Sequence, residues 1–188
     1  MIQTKLGKKI VIVVVIAAAI FIVAAYLVPR LGRRDAEGPP PEVQRVSEET
    51  RSATLFYANK EADGFLTEMR EVPAEGGIEE QVKAVVAEFI EGPEGEDPVR
   101  TFPDGVMLLQ VFWVEETQTV YLDFNRALIA NHRGGSTGEY YTIATLLRTI
   151  GANFPQVRLV QFLIEGYPVE TIAGHYAIDE PLDILRWR

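Results

Sequence analysis

From Ile10 to Val28 the chain runs nineteen residues without a charge, IVIVVVIAAAIFIVAAYLV. As a helix rising ~1.5 Å per residue this run spans about 28 Å, close to the ~30 Å hydrocarbon core of a bilayer. Only a helix can satisfy its own backbone in that medium. The run is apolar on every face, whereas a helix buried at the edge of a globular core keeps a polar stripe. It is also longer than a signal-peptide core, and no small-x-small cleavage site precedes a plausible mature start. The expectation is a short basic segment over 1–9, a transmembrane helix over 10–28, a Pro- and charge-rich linker over 29–52, and a folded domain over 53–188.

Orientation rests on weaker grounds. Lys5, Lys8 and Lys9 before the span are balanced by Arg30, Arg33 and Arg34 after it. A span at the start of the chain behaves as a signal anchor, and long following domains translocate largely regardless of their charge. The expected topology places the N-terminus in the cytoplasm and the C-terminal domain outside it, periplasmic where a periplasm exists.

Charge then narrows the partners. Residues 1–52 carry eight Lys/Arg and five Asp/Glu, a net of +3, while residues 53–188 carry ten and twenty-two, a net of −12. A domain this acidic is repelled by phosphate backbones, which excludes nucleic acid as the expected partner. The absence of cysteine excludes disulfides, thiolate nucleophiles, Cys-ligated metals and a lipid-modified N-terminal cysteine, so attachment must come from the polypeptide itself.

Within the domain, Ala53–Ala58 reads as a buried strand and Phe65–Val72 as a second extended piece. Ile78–Ile90 places Ile78, Val82, Val85, Val86, Phe89 and Ile90 on one stripe of an amphipathic helix, stopped by Gly92-Pro93. A polar loop rich in Gly, Pro and acids covers 91–105. Val106–Val114 and Thr119–Phe124 form a hairpin, with Val120, Leu122 and Phe124 alternating against Tyr121 and Asp123. Ser136-Thr137-Gly138-Glu139 has capping-box spacing and opens a second helix reaching about Asn153. A strand over Val157–Ile164, a turn at Glu165–Pro168, a last extended piece to about Ala173 and an irregular tail complete the order. The fold class is an α/β two-layer sandwich, a small mixed or antiparallel sheet with two helices on one face.

No catalytic constellation emerges. His132 and His175 stand apart from any ligand spacing. Of the three serines, Ser47 and Ser52 fall in the linker and Ser136 is expected at a helix cap. The acids of Glu115-Glu116 and of Glu94, Glu96 and Asp97 sit in flexible places and lack a calcium-loop pattern. Asp123 and Glu139 are the carboxylates held by regular elements, so a membrane-tethered cell-wall hydrolase using either is the alternative to a binding role. Gly134–Gly138 lacks the lysine of a phosphate loop and reads as a tight turn. Neither cofactor nor metal is expected. The aromatics suggest a surface instead. Phe112 and Trp113 alternate to opposite faces of their strand, so one of them, with Tyr121, is a candidate interaction surface.

An ordered set of motifs carries a resemblance over about Ala53 to Arg186. It comprises Phe56-Tyr57, then Phe89-Ile90-Glu91-Gly92-Pro93, Pro103-Asp104-Gly105-Val106 and Val120–Phe124. Gly135-Ser136 with Glu139, Thr149 with Phe154-Pro155, and Val160-Gln161-Phe162 with Glu165-Gly166 follow. This set resembles the GerMN domain of spore germination and sporulation proteins. The resemblance implies structural roles for Pro103, Gly105, Asp123, Gly135, Ser136, Glu139 and Gly166. It also implies a fold similar to the ring-building motifs of secretion-system and sporulation-channel proteins. Members are attached to the outer face of the cytoplasmic membrane by a lipid or a helix and are linked to envelope assembly and peptidoglycan, without an established catalytic site. This chain has one copy where some members carry two. The expected function is a non-catalytic binding or assembly module of the cell envelope that self-associates or docks on an envelope protein or peptidoglycan.

Overall fold

The computed structural model describes residues 22, 23 and 49–187. The expected membrane span at 10–28 therefore lies outside the described residues, apart from Ile22 and Val23, which are helical. Among the described residues no helix is long and apolar enough to cross a membrane.

Residues Ser47–Arg188 form one compact unit. It opens with β1 (Thr50–Ala58) and β2 (Phe65–Pro73), an antiparallel pair that makes a two-stranded sheet of its own. Helix α1 (Ile78–Glu91) follows, and Glu80 accepts from the Gly77 N–H at 3.0 Å to fix its start. It ends at Gly92, whose φ of +92° suits glycine. Strands β3 (Leu108–Val114) and β4 (Thr119–Phe124) form a hairpin around a short 3₁₀ turn at Glu115–Thr117. A one-turn helix α2 (Ala127–Ala130) leads to the long helix α3 (Ser136–Asn153) and then to β5 (Leu159–Ile164). The chain closes with β6 (Leu182–Asp183) and a 3₁₀ helix at Ile184–Trp187.

The second sheet has the order β3-β4-β5-β6 and is mixed, because β4 and β5 run parallel around the α3 crossover while the outer pairs are antiparallel. Val120, Leu122 and Phe124 are fully buried, as the alternation predicts, and register opposite Val160, Phe162 and Ile164. These six share one core with Val82, Val85, Val86 and Phe89 of α1 and Ile143, Leu146, Leu147 and Ile150 of α3. Phe89, Phe102, Phe124 and Phe162 run through it as an aromatic chain with ring centres 5.1–6.0 Å apart.

The single sheet expected from sequence is thus two sheets. The reason lies at the open edge of β1. Its Thr54 N–H donates to Asn153 Oδ1 at 3.0 Å, its Phe56 N–H donates to Thr149 Oγ1 at 2.9 Å, and Asn153 Nδ2 returns a bond to the Thr54 carbonyl at 2.7 Å. Side chains of α3 stand where a neighbouring strand would pair, so the hairpin does not join the larger sheet along this edge. Other boundaries differ, β3 starting at Leu108 and β5 at Leu159, each two residues later than expected. β1 begins at Thr50, inside the stretch read as linker, and the piece to Ala173 is no strand, whereas the tail supplies β6.

Candidate functional site: a cleft at the start of the long helix

The loop Asn131–Gly135 turns through two consecutive left-handed glycines, Gly134 at φ +79° and Gly135 at φ +85°. That conformation is open to glycine at no steric cost. It moves the helix start. Gly135 is the N-cap and Ser136 the first helical residue, and no side chain caps the helix. The expected capping box is therefore absent. Ser136 is not the cap, and the Glu139 carboxylate turns elsewhere. The first α3 amides lack intrahelical acceptors, as at any helix start, and bias this end toward positive potential.

Beside this turn lies a cleft of about 610 Å³. Its walls come from the β1–β2 turn (Asn59, Lys60), the strip Val99–Asp104, the loop Asn131–Gly134 and Thr137, Gly138 and Tyr141 of α3. A hydroxyl row ties the strip to the helix. Thr101 and Thr145 hydroxyls meet at 2.8 Å, and Thr142 Oγ1 donates to the Thr101 carbonyl at 2.9 Å. Arg100 braces the rim, pairing with Asp104 at 2.7 Å and donating to the Ile90 and Glu91 carbonyls at the end of α1. Lys60 pairs with Asp97 at 3.2 Å.

His132 forms part of the cleft wall. Its Nδ1 accepts from the Gly134 N–H at 3.0 Å, which leaves the proton on Nε2, 3.0 Å from Thr142 Oγ1. Burial lowers its pKa from the usual 6.5, against the smaller opposing pull of Glu139, so the ring is held neutral. His175 lies elsewhere, with Nδ1 3.2 Å from Glu139 Oε2. Among the described residues the two histidines share no hydrogen-bond partner, although Glu139 bonds to His175 and acts on His132 through its charge. Among the described residues no group of His, Asp and Glu could hold a metal ion.

Glu139 is completely buried. Its carboxylate accepts from the backbone N–H groups of Ile172 at 3.0 Å, His175 at 2.9 Å and Tyr176 at 3.4 Å. Burial alone raises its pKa, but donation from the Ala173, His175, Tyr176 and Ile172 amides outweighs this and leaves it below the usual 4.5. A carboxyl held ionised in this way is the reverse of a general acid. Asp123 does similar work, with Oδ1 accepting from the Gly166 N–H at 2.8 Å and Gly166 at φ +84°. Neither carboxylate lines the cleft.

The other motif residues also hold loops. Pro103 is in the cleft wall, and Gly105, at φ +82°, turns the chain into β3. Asn125 Nδ2 donates to the Gly105 carbonyl at 2.9 Å and Asn131 Nδ2 to the Asp104 carbonyl at 2.9 Å. The acidic loop after α1 is clamped by Glu68, whose oxygens accept from the Gly95 and Glu94 amides at 2.8 and 3.0 Å while Arg70 pairs with it at 2.7 Å. Phe112 pairs across the strands with Tyr121 and is 45% exposed, whereas Trp113 packs on the core and its backbone N–H donates to Glu79 Oε1 at 2.8 Å. Sequence reasoning missed the cleft residues Lys60, Arg100, Thr101 and Arg133 because the fold alone collects them. The runs Asn125-Arg126 and Asn131-His132 at element ends were the available signal, since asparagine there commonly bonds nearby backbone.

The fold and these clamps define a class, a small mixed α/β module in which the motif carboxylates Asp123 and Glu139 hold loop backbone. The chain belongs to the Germane family, described as sporulation and spore germination, whose pattern matches residues 54–170. Two solved structures share the fold. One is a protein described as a lipoprotein from Clostridium perfringens, 18% identical, covering 71% of this chain and 87% of that one, with a TM-score of 0.52. The other is the tandem GerMN domains of the sporulation protein GerM from Bacillus subtilis, 16% identical, with a TM-score of 0.56. That match covers 77% of this chain and 49% of the tandem, so the chain spans about half of its length. No curated protein matches the chain.

Proposed function

We propose that the protein is a membrane-anchored, extracytoplasmic module of the cell envelope that binds or assembles partners and is not catalytic. The observation that carries this reading is the commitment of Asp123 and Glu139, with Asn125 and Asn131, to backbone groups of the loops they shape. Such clamps preorganise a surface, and preorganisation lowers the entropic cost of binding. The apolar run Ile10–Val28 supports the anchor, and the family's description supports a sporulation- or germination-like envelope setting. The partner in this reading is another envelope protein, a second copy of the chain, or peptidoglycan.

A photo-crosslinking residue at Thr137, on the cleft wall, tests the reading in cells. The expected outcome is a discrete crosslinked species, or retention of the chain on isolated sacculi. A chain that crosslinks to nothing, stays monomeric and washes freely from sacculi would sink the proposal. A reporter active only outside the cytoplasm, fused after Arg188, tests the topology separately, and silence there would place the domain on the other side.

A further inference from the structure

A second cavity of about 610 Å³ lies on the far side of the α3 start, between that helix and the C-terminal tail. Its floor is a cluster of three half-buried rings. Tyr140 stacks on Trp187 with centres 5.6 Å apart and planes 27° from parallel, and Tyr176 closes the triangle at 6.1 Å and 5.8 Å. Its rim is acidic. Asp179, Glu180 and Asp183 line it with Arg186, the one cation in its lining among the described residues, while Arg158 stands 4.0 Å from Asp183. Asp183 is partly committed, accepting from the Leu185 N–H at 2.9 Å. Asp179 and Glu180 are exposed and make no ion pair among the described residues.

We propose that this groove docks a cationic side chain, an arginine or lysine carried on an extended basic peptide segment of a partner protein. Aromatic faces attract a cation through their quadrupole, and a carboxylate rim adds the complementary charge. A neutral ligand would gain hydrogen bonds but no ion pairing from Asp179 and Glu180, and an anionic one would be repelled. The chain already uses the same chemistry internally. The Arg148 guanidinium lies 3.9 Å over the Phe65 ring and that of Arg51 lies 4.9 Å over Phe154. The volume suits one or two side chains and not a folded element. The inference stands on the groove alone and holds whichever compartment the domain occupies.

The chain has two tryptophans, so Trp113→Phe leaves Trp187 as the sole indole reporter in the full-length protein. Titration with a capped Gly-Arg repeat peptide should give a saturable change in Trp187 fluorescence that weakens with salt. A Gly-Glu repeat peptide and a neutral chitin oligosaccharide should give none. Asp179→Asn with Glu180→Gln, both exposed, should weaken the arginine peptide on the order of five-fold, since each solvated charge contributes modestly. No saturable response to the arginine peptide overturns the proposal. Equal affinity in the doubly neutralised variant also overturns it, and a saturable response to the oligosaccharide instead would assign the groove to sugar.

Discussion

Helix α3 is gripped differently at its two ends. Near its start the buried carboxylate of Glu139 gathers the backbone amides of the loop 172–176, and near its finish Thr149 and Asn153 satisfy the open edge of β1 with neutral groups. Both devices close a backbone that would otherwise be left unpaired. They differ in what they cost to break. Removing the charged clamp strands several loop amides at once, that of Ile172 buried, while removing the neutral one leaves only groups that water can partly reach.

The largest effect is therefore expected at the charged end. Glu139→Ala should destabilise the domain by about 3 kcal/mol in chemical denaturation, because the loop amides lose their acceptor. An unchanged denaturation midpoint would show that the loop is held by other means. In the last turn of the helix, a Cβ added at Gly151 would lie 2.6 Å from Ile184 Cγ2. Gly151→Ala should displace the C-terminal 3₁₀ helix at a cost of about 1–3 kcal/mol, read as a shift in melting temperature and in Trp187 emission. At the neutral end Asn153→Ala should cost about 1–2 kcal/mol and expose the β1 edge, with faster hydrogen exchange at Thr54.

Acid sharpens the contrast. Glu139 has a folded pKa below the usual 4.5, so its contribution is fully present above the unfolded value and is lost as pH falls through the folded one. His132, lowered from 6.5 by burial, acts in the same direction, favouring the fold once the unfolded imidazole has deprotonated. Wild-type stability should fall on acidification. The difference between wild type and Glu139→Ala should shrink as pH falls below the usual 4.5 and through the lowered folded value, while that between wild type and Asn153→Ala should not. Parallel pH profiles for all three would refute the distinction. The smallest effect is expected at Asp123→Ala, about 1 kcal/mol, since one bond to the Gly166 N–H is lost.

The elements themselves were legible in the sequence. The stripe of α1, the alternation of β4 and the apolar run of β5 are local patterns, and the structure keeps them. What escaped was pairing and side-chain destination. The β1 edge of the smaller sheet is closed by Asn153 reaching Thr54, a contact that no local period encodes. The Ser136–Glu139 spacing is that of a capping box, but two left-handed glycines shift the helix start by one residue and free Glu139 to seek the 172–176 loop. β6 is only two residues long, too short for an alternation to register. Both cavities assemble residues from distant stretches, so charge counts by segment could not reveal either.

The bond from Thr54 to Asn153 joins positions 99 residues apart. During synthesis the β1–β2 hairpin is complete long before its edge is closed, and it must wait until the whole of α3 has emerged. For that interval the nascent chain carries an open strand edge, the feature that invites intermolecular pairing. A chain delivered N-terminus first would meet its solvent in that state, so chaperone demand should peak before residue 153 appears and fall once it does.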